Sequence, residues 1–232
     1  NPSCVCYDVV FGCPGWLEGV IQAQAFIKAG IAKKCLVIGA ETLSRVVDIH
    51  DRDSMIFSDG AGATIIEKVE DEHDNGIIAH ESATYANDEA FYLTFEASYN
   101  QELKRETRYI KMNGRKIYNF ALTYVPQAMK NCLDKSGYGI NEVSKIFIHQ
   151  ANEKMDQAIC ERFYKLYEKE MPENVMPMSI AELGNSSVAT LPTLLDLVKK
   201  NQLENQHIEK GDVVIFASVG AGMNINALVY KI

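Results

Sequence analysis

Four stretches of the chain carry apolar side chains at the spacing of a helix that buries one face. The first ends at Gly30, and glycine is a typical helix stop. The second contains Pro126, which predicts a bend in the helix. Helices are therefore predicted over Trp16–Gly30, Gly114–Ser136, Glu153–Lys169 and Val188–Lys200.

Short apolar runs lie between these helices and predict strands, of which Cys4–Phe11, Cys35–Gly39 and Ile146–Ile148 are expected to be buried. We expect Cys35–Gly39 to be buried on both faces, because a continuous apolar run is typical of such a strand. The glycine-rich stretch Ser58–Ala63 predicts a tight turn into the next strand. Strands are predicted over Cys4–Phe11, Cys35–Gly39, Thr64–Lys68, Ile146–Ile148, Asp212–Ala217 and Ile225–Tyr230.

The two ends of the chain repeat the order helix, strand, Gly-Ala-Gly, strand. Gly60-Ala61-Gly62 in the first copy matches Gly220-Ala221-Gly222 in the second. The charged stretch Glu67–Asp74 lies between the copies, so we predict one half over residues 1–71 and the other over 72–232. About a hundred residues precede the matching point in the second copy alone. We therefore expect a comparable N-terminal piece to be absent from this sequence.

Composition and charge narrow the possible partners. The 232 residues are 47% hydrophobic and 23% charged, as in an ordinary globular protein. The net charge of −8, without a long basic run, argues against non-specific binding to nucleic acid. No apolar stretch is long enough to predict a membrane span. The six cysteines are scattered, which predicts reduced thiols of a cytoplasmic protein and no metal site.

Cys13 is the first candidate for chemistry. It lies in Gly12-Cys13-Pro14-Gly15, between a predicted strand and a predicted helix. A thiol at a helix N-terminus is close to free backbone N–H groups and to the positive end of the helix dipole. Both favour the thiolate, which is the nucleophilic form. The alternative is a buried core cysteine, since free cysteines are often buried.

His149 and Asn185 are the other two candidates. His149 follows a buried apolar strand, and ligands of open α/β sheets bind at such strand ends. Asn185 lies at a predicted helix start, in a position equivalent to that of Cys13 in the repeat. Taken singly, each has a structural alternative: a buried histidine with satisfied hydrogen bonds, and a helix N-cap.

At four points the sequence resembles the β-ketoacyl-acyl-carrier-protein synthase III enzymes of the thiolase-fold superfamily. The matching motifs are Gly12-Cys13-Pro14-Gly15, Ile148-His149-Gln150-Ala151-Asn152, Gly184-Asn185-Ser186-Ser187 and Gly220-Ala221-Gly222. The resemblance runs from Cys4 to the C-terminus, over the back two-thirds of a typical member. It implies an α/β fold of the thiolase type, a duplicated α-β-α-β-α layered architecture with the first repeat truncated. Plant-type polyketide synthases share the same Cys-His-Asn pattern.

The resemblance implies a decarboxylative Claisen condensation. Cys13 would attack an acyl-coenzyme A and hold the acyl group covalently. Malonyl-acyl-carrier-protein would then lose carbon dioxide, while His149 Nε2 and the Asn185 amide donate hydrogen bonds to the enolate oxygen. Backbone N–H groups of Cys13 and Gly222 would form the oxyanion hole. A Cys-His hydrolase would also use a nucleophile and a base, but it needs neither the repeat nor the amide.

The resemblance also implies binding residues and partners. Arg52 matches a position that stacks against the adenine of coenzyme A, Phe57 one near the active site, and Asn152 one lining the pantetheine channel. Lys154 matches a position that docks the acidic carrier protein; for it and Arg52 the alternative is a solvated surface charge. Acyl-coenzyme A and malonyl-acyl-carrier-protein are the implied substrates, with no cofactor and no metal. A homodimer in the cytoplasm is implied for the full-length protein.

The sequence departs from the family pattern at several positions, which leaves the acyl specificity open. Pro14 follows the nucleophile in place of a small residue, and Trp16 is bulkier than expected. The implied role is the initiation of fatty acid biosynthesis. The alternatives are a condensing enzyme of a specialised lipid or polyketide pathway, and a non-catalytic acyl-binding protein of the same fold. A further possibility is that this chain is inactive without the expected N-terminal piece.

Overall fold

The structure of the chain is a computed structural model that describes residues 2–69, 75–104 and 106–232. The predicted boundary between residues 71 and 72 lies outside the described residues. The α-helices are α1 (Gly15–Lys28), α2 (Gly114–Ser136), α3 (Glu153–Lys165), α4 (Ile180–Leu183) and α5 (Thr190–Lys199). The strands are β1 (Lys34–Thr42), β2 (Asp59–Glu67), β3 (Gly76–Thr84), β4 (Leu93–Glu96), β5 (Tyr109–Met112), β6 (Val143–Ile148), β7 (Val213–Gly220) and β8 (Asn224–Lys231).

The main sheet has four strands in the order β3-β8-β7-β6. Strand β6 is parallel to β7, whereas β8 is antiparallel to both of its neighbours. Every residue of β7 is buried, which agrees with the position of this strand between two neighbours in the sheet. Strands β1 and β2 form a separate antiparallel pair, and β4 pairs with β5.

Helices α1 and α5 lie between the main sheet and the β1–β2 pair. Trp16 of α1 packs in one apolar cluster with Phe216 of the main sheet and Val37 of β1, and α5 contacts both β2 and β6. Helices α2 and α3 cover the opposite face of the main sheet, in a second cluster that includes Met129 and Phe163. The described residues therefore stack as sheet, helices, sheet and helices, an α/β architecture.

Most of the predicted helices and strands are confirmed. Helix α2 begins and ends where predicted, and Gly137 closes it in the left-handed conformation with φ 80°. Gly30 has φ 73° just after α1. None of the helices in the described parts of the chain is both long and apolar enough to span a membrane.

The prediction of a buried strand over Cys4–Phe11 is wrong. Residues 4–11 form no strand, and residues 2–10 are exposed, with Val10 96% accessible. A strand needs a neighbour for its backbone N–H and C=O groups, and no strand within the described residues pairs with this segment. The apolar run indicates strand character but cannot supply the partner.

Two predictions about the β1–β2 pair are also wrong. Strand β1 is buried on one face, through Val37 and Gly39, while Leu36 on the other face is 61% exposed. The stretch Ser58–Ala63 is not a turn, because β2 pairs with β1 from Asp59 onward. Its glycines serve close packing instead: a Cβ atom at position 62 would lie 2.6 Å from the Cβ of Pro192 in α5.

Candidate active site

Cys13 lies in a sharp turn at the start of α1. Gly12 has φ 63°, a left-handed conformation that glycine adopts readily, and Pro14 is the N-cap residue of the helix. The end of β7 packs tightly on this turn, because a Cβ atom on Gly220 would lie 2.7 Å from the Cβ of Cys13. The turn therefore fixes the thiol against the end of the main sheet.

Asn185 lies in a similar turn before α5. Gly184 precedes it with φ 68°, as Gly12 precedes Cys13. The backbone N–H of Asn185 donates to the carbonyl of Ile56 at 2.7 Å, and the N–H of Ser58 donates to the carbonyl of Asn185 at 3.0 Å. Its side-chain Oδ1 accepts from the N–H of Ser187 at 2.8 Å. The oxygen is thus occupied, and the NH2 group is the end that can donate to a ligand.

His149 follows β6, and its backbone N–H donates to the carbonyl of Ala217 in β7 at 2.9 Å. The residue is only 3% exposed. Burial lowers the pKa of its imidazole to about 4, so the ring is neutral at physiological pH. Its Nδ1 lies 2.7 Å from Oγ1 of Thr190, which leaves Nε2 as the ring nitrogen that can meet a ligand.

Ser187 connects these three groups. Its Oγ lies 3.4 Å from the Sγ of Cys13, and its N–H holds the Asn185 amide. Its carbonyl accepts a 2.9 Å hydrogen bond from the Thr190 hydroxyl, which in turn contacts His149. The structure therefore brings together residues 13, 149 and 185, which are far apart in the sequence. Sequence reasoning singled out Ser187 only as part of a helix start.

The thiol of Cys13 does not favour the thiolate at rest, contrary to the expectation from its helix N-terminus. Burial raises the pKa of Cys13 above its ordinary value. Hydrogen bonds from Ser187 and from the backbone N–H groups of Cys13 and Ala221 lower the pKa but do not overcome this cost. Cys13 is half-buried as a residue. The spacing of residues predicted the turn correctly, but it does not report the effect of burial on the thiol.

The predicted oxyanion hole lies in the same region. Gly222, with φ 74°, follows the Ala221 amide that contacts the sulfur. Gly12 packs against Ala221 from the other side, since a Cβ atom at position 12 would lie 3.3 Å from the Ala221 nitrogen. The role of the Cys13 and Gly222 N–H groups stays a prediction.

The structure places one of the four predicted binding residues next to the site. Phe57 forms an isolated parallel β-bridge with Asn185. Arg52 is exposed at the start of a short 3-10 helix, and Lys154 is exposed in the first turn of α3. Asn152 caps α3 by accepting from the N–H of Met155 at 3.2 Å. The binding roles of all four stay predictions.

A buried ion-pair cluster holds the segment that carries Arg52 and Phe57. Lys111 Nζ lies 2.6 Å from an Asp48 oxygen and 3.0 Å from an Asp51 oxygen. Burial alone would raise the pKa of Asp48, but hydrogen bonds from Lys111, Tyr99, His50 and Ser98 hold it well below its usual range. Sequence reasoning missed this cluster, because its partners are about 60 residues apart.

The arrangement suits covalent acyl transfer. A thiol nucleophile shares one hydrogen-bonded cluster with a neutral imidazole and a carboxamide whose NH2 group can donate. Backbone N–H groups at the sulfur provide further donors for a developing negative charge. These are the parts that thioester chemistry requires.

Comparison with known families covers both ends of the chain. Residues 7–86 match the family described as 3-oxoacyl-[acyl-carrier-protein] synthase III. Residues 133–232 match the C-terminal part of the same family. The two matches together contain Cys13, His149 and Asn185.

Individual relatives agree with this assignment. The chain is 34% identical to β-ketoacyl-[acyl-carrier-protein] synthase III of Porphyra umbilicalis, over 99% of this chain and 69% of that protein. It is 30% identical to the Acaryochloris marina protein of the same name, over 98% and 67%. The structure is similar to that of the Thermus thermophilus synthase III, with a TM-score of 0.83 and 29% identity over 97% of this chain and 67% of that one. The fold is thus that of the thiolase-like condensing enzymes.

Proposed function

The chain belongs to the 3-oxoacyl-[acyl-carrier-protein] synthase III family, and from this premise we propose how its own residues perform the condensation that starts fatty acid synthesis. The proposed reaction joins an acyl group from acyl-coenzyme A to malonyl-acyl-carrier-protein and releases carbon dioxide. Cys13, His149 and Asn185 carry its chemistry.

The first step is acyl transfer to Cys13. The thiol loses its proton, its sulfur forms a bond to the thioester carbonyl carbon, and the carbon–sulfur bond to coenzyme A breaks. The leaving thiolate takes up a proton. Because burial raises the pKa of Cys13, the hydrogen bonds from Ser187 and the nearby backbone N–H groups are needed to stabilise the thiolate that attacks. The Cys13 and Gly222 N–H groups are proposed to receive the oxyanion.

The second step is decarboxylation and carbon–carbon bond formation. The malonyl carboxylate leaves as carbon dioxide, and the resulting enolate carbon forms a bond to the acyl carbonyl carbon on Cys13. The thioester bond to the Cys13 sulfur breaks, and the released thiolate takes up a proton. The Asn185 NH2 group donates to the enolate oxygen, since its amide oxygen is already held by Ser187. His149 Nε2 is the second proposed hydrogen-bond donor to the enolate oxygen. It donates when the ring carries its proton on Nε2, with the Thr190 hydroxyl turned to donate to Nδ1.

One observation carries this proposal: Cys13, His149 and Asn185, which are far apart in the sequence, belong to one hydrogen-bonded cluster. Ser187 contacts Cys13 and Asn185 directly, and Thr190 links it to His149. Separate structural roles for these residues would not require such a connection. The same connection argues against a non-catalytic acyl-binding protein, because a binding module needs no nucleophile linked to an imidazole and an amide. Cys13, His149 and Asn185 do not identify the acyl primer, so a condensing enzyme of a specialised lipid or polyketide pathway is the alternative function.

The partners follow from the reaction. We propose that Arg52, Phe57 and Asn152 contact coenzyme A or its pantetheine arm, and that Lys154 docks the acidic carrier protein. This basic contact matters because the chain carries a net charge of −8. We propose in addition a cytoplasmic location, a homodimeric state for the full-length protein, and a reaction that runs without a cofactor.

Product formation tests this function. The chain is incubated with a panel of acyl-coenzyme A donors and malonyl-acyl-carrier-protein, and the carrier protein is weighed by intact mass spectrometry. We expect a β-ketoacyl product with at least one donor. His149→Ala and Asn185→Ala should abolish the product while the Cys13 peptide still becomes acylated. Loss of acylation together with condensation in both variants would contradict the assigned roles.

A further inference from the structure

We infer that Ser187 is a positioning residue of this site and stabilises the attacking thiolate of Cys13. The inference rests on the proposed function only for the identity of the nucleophile. Ser187 is buried and uses each of its three polar groups on a different member of the cluster. Its contact with Cys13 joins residues 174 positions apart and does not follow from its place at a helix start.

The hydroxyl acts on the nucleophile. Ser187 Oγ donates to the Sγ of Cys13 across 3.4 Å, an ordinary length for a hydrogen bond to sulfur. This bond lowers the pKa of the thiol and so opposes the effect of burial. A hydrogen bond to an ionised group is stronger than one to a neutral group. The hydroxyl therefore stabilises the thiolate more than the thiol.

The backbone N–H acts on the amide. It donates to Asn185 Oδ1 at 2.8 Å, between residues two apart in the sequence. This bond decides which end of the amide is free, because the oxygen is turned toward Ser187. The NH2 group is then the end that can meet a substrate oxygen.

The carbonyl acts on the imidazole through Thr190. The Thr190 hydroxyl has one proton and donates it to the Ser187 carbonyl at 2.9 Å. Its oxygen can then only accept from His149 Nδ1, which lies 2.7 Å away. The single Thr190 proton can serve either the Ser187 carbonyl or His149 Nδ1, so the Ser187–Thr190 hydrogen bond belongs to the tautomer with the ring proton on Nδ1. The donor role assigned to Nε2 requires the Thr190 hydroxyl to turn away from Ser187.

The backbone conformation of Ser187 also supports its role as a positioning residue. Its φ of 52° lies in the left-handed region, which is uncommon for residues other than glycine. Such conformations cluster at active sites, where the surrounding structure holds them in place. At this φ the hydroxyl, the N–H and the carbonyl of one residue reach Cys13, Asn185 and Thr190.

The test replaces Ser187 with glycine. Ser187→Gly removes the hydroxyl, while glycine tolerates the left-handed backbone, so the N–H and carbonyl contacts stay in place. Ser187→Ala removes the hydroxyl as well but keeps the backbone strain. Ser186→Ala is the matched control, an equally buried neighbouring serine. The measurement is the rate of iodoacetamide alkylation of the Cys13 peptide across a pH series, read by mass spectrometry.

We expect the alkylation profile of Ser187→Gly to shift to higher pH, with the rate at pH 7 about tenfold lower, the size expected for one hydrogen bond to a charged group. Ser186→Ala should superimpose on the parent chain. A Ser187→Gly profile that also superimposes on the parent would overturn the inference. Since iodoacetamide replaces the acyl donor, this result is independent of whether the chain performs the proposed condensation.

Discussion

At the scale of single residues, burial decides the charge state of the site. Cys13 and His149 are both held in the neutral form, because each charged form would lose its hydration in the folded chain. At Cys13 the hydrogen bonds from Ser187 and the nearby backbone N–H groups act in the opposite direction but do not overcome burial. Charge must therefore develop during the reaction, where the hydrogen bonds around Ser187 can stabilise it.

The low pKa of His149 makes stability depend on pH. The folded ring titrates at about 4, whereas the ordinary value is 6.5, so the unfolded chain binds more protons between these values. The free energy of unfolding should therefore fall as the pH falls from 6.5 to 4, by about 3 kcal/mol from this group. Denaturant unfolding of the parent chain and of His149→Gln, measured at pH 7 and pH 4, isolates this contribution.

Between pH 7 and pH 4, the free energy of unfolding of His149→Gln should fall by about 3 kcal/mol less than that of the parent chain. Other carboxyl groups titrate in both proteins, and their effect cancels in the difference. Equal losses in the two proteins would mean that His149 is not buried in the neutral form.

At the scale of elements, a buried ion-pair cluster holds the segment between β1 and β2 in place, and no local sequence pattern predicts this cluster. Lys111 in β5 is 5% exposed and binds two carboxylates of that segment. The backbone N–H of Ile110 also donates to the carbonyl of Val46 at 2.8 Å. Strand β5 therefore anchors the segment that carries Arg52 and Phe57.

Lys111→Met should leave the Asp48 carboxylate buried without its cationic partner. We expect a loss of about 3–5 kcal/mol in the free energy of unfolding, as for other broken buried ion pairs. Lys200→Met is the control, because Lys200 and Asp196 form an exposed pair one helical turn apart. Its stability should change by less than about 0.5 kcal/mol. Similar losses in the two variants, measured by urea unfolding, would show that Lys111 does not hold the segment.

The elements also show where sequence patterns fail. The hydrophobic periodicity of α2 predicts both of its ends correctly, because its apolar face and the glycine that stops it, Gly137, are features of the local sequence. The apolar run Leu36-Val37-Ile38 predicts a strand correctly. It does not predict which face of the strand is buried, because that depends on what packs against each face. Likewise, glycines 60 and 62 indicate a special backbone, but only the position of α5 shows that they allow close packing.

At the scale of the whole molecule, the internal repeat is what made the site predictable. It placed Cys13 and Asn185 at equivalent helix starts, and in the structure each follows a glycine with a positive φ. The hydrogen-bonding partners Ser187 and Thr190 could not be found in this way, since serine and threonine at a helix start usually serve as caps. The long-range pairing of Lys111 with Asp48 carries no sequence signal at all.

The β1–β2 pair has an exposed apolar face. Leu36 and Ile65 lie opposite each other in the register and are 61% and 66% exposed. Ile38 lies on the same face and is also exposed. Contiguous apolar surface of this kind is typical of an interaction surface.

The central claim is that residues 13, 149 and 185 form one acyl-transfer site, with Cys13 as the nucleophile. The most direct test is the mass of the Cys13 peptide after incubation with a panel of acyl-coenzyme A donors. We predict a gain equal to the acyl group, absent in Cys13→Ala and removed by hydroxylamine, which cleaves thioesters. A Cys13 peptide of unchanged mass with every donor, in a folded chain, would contradict the account.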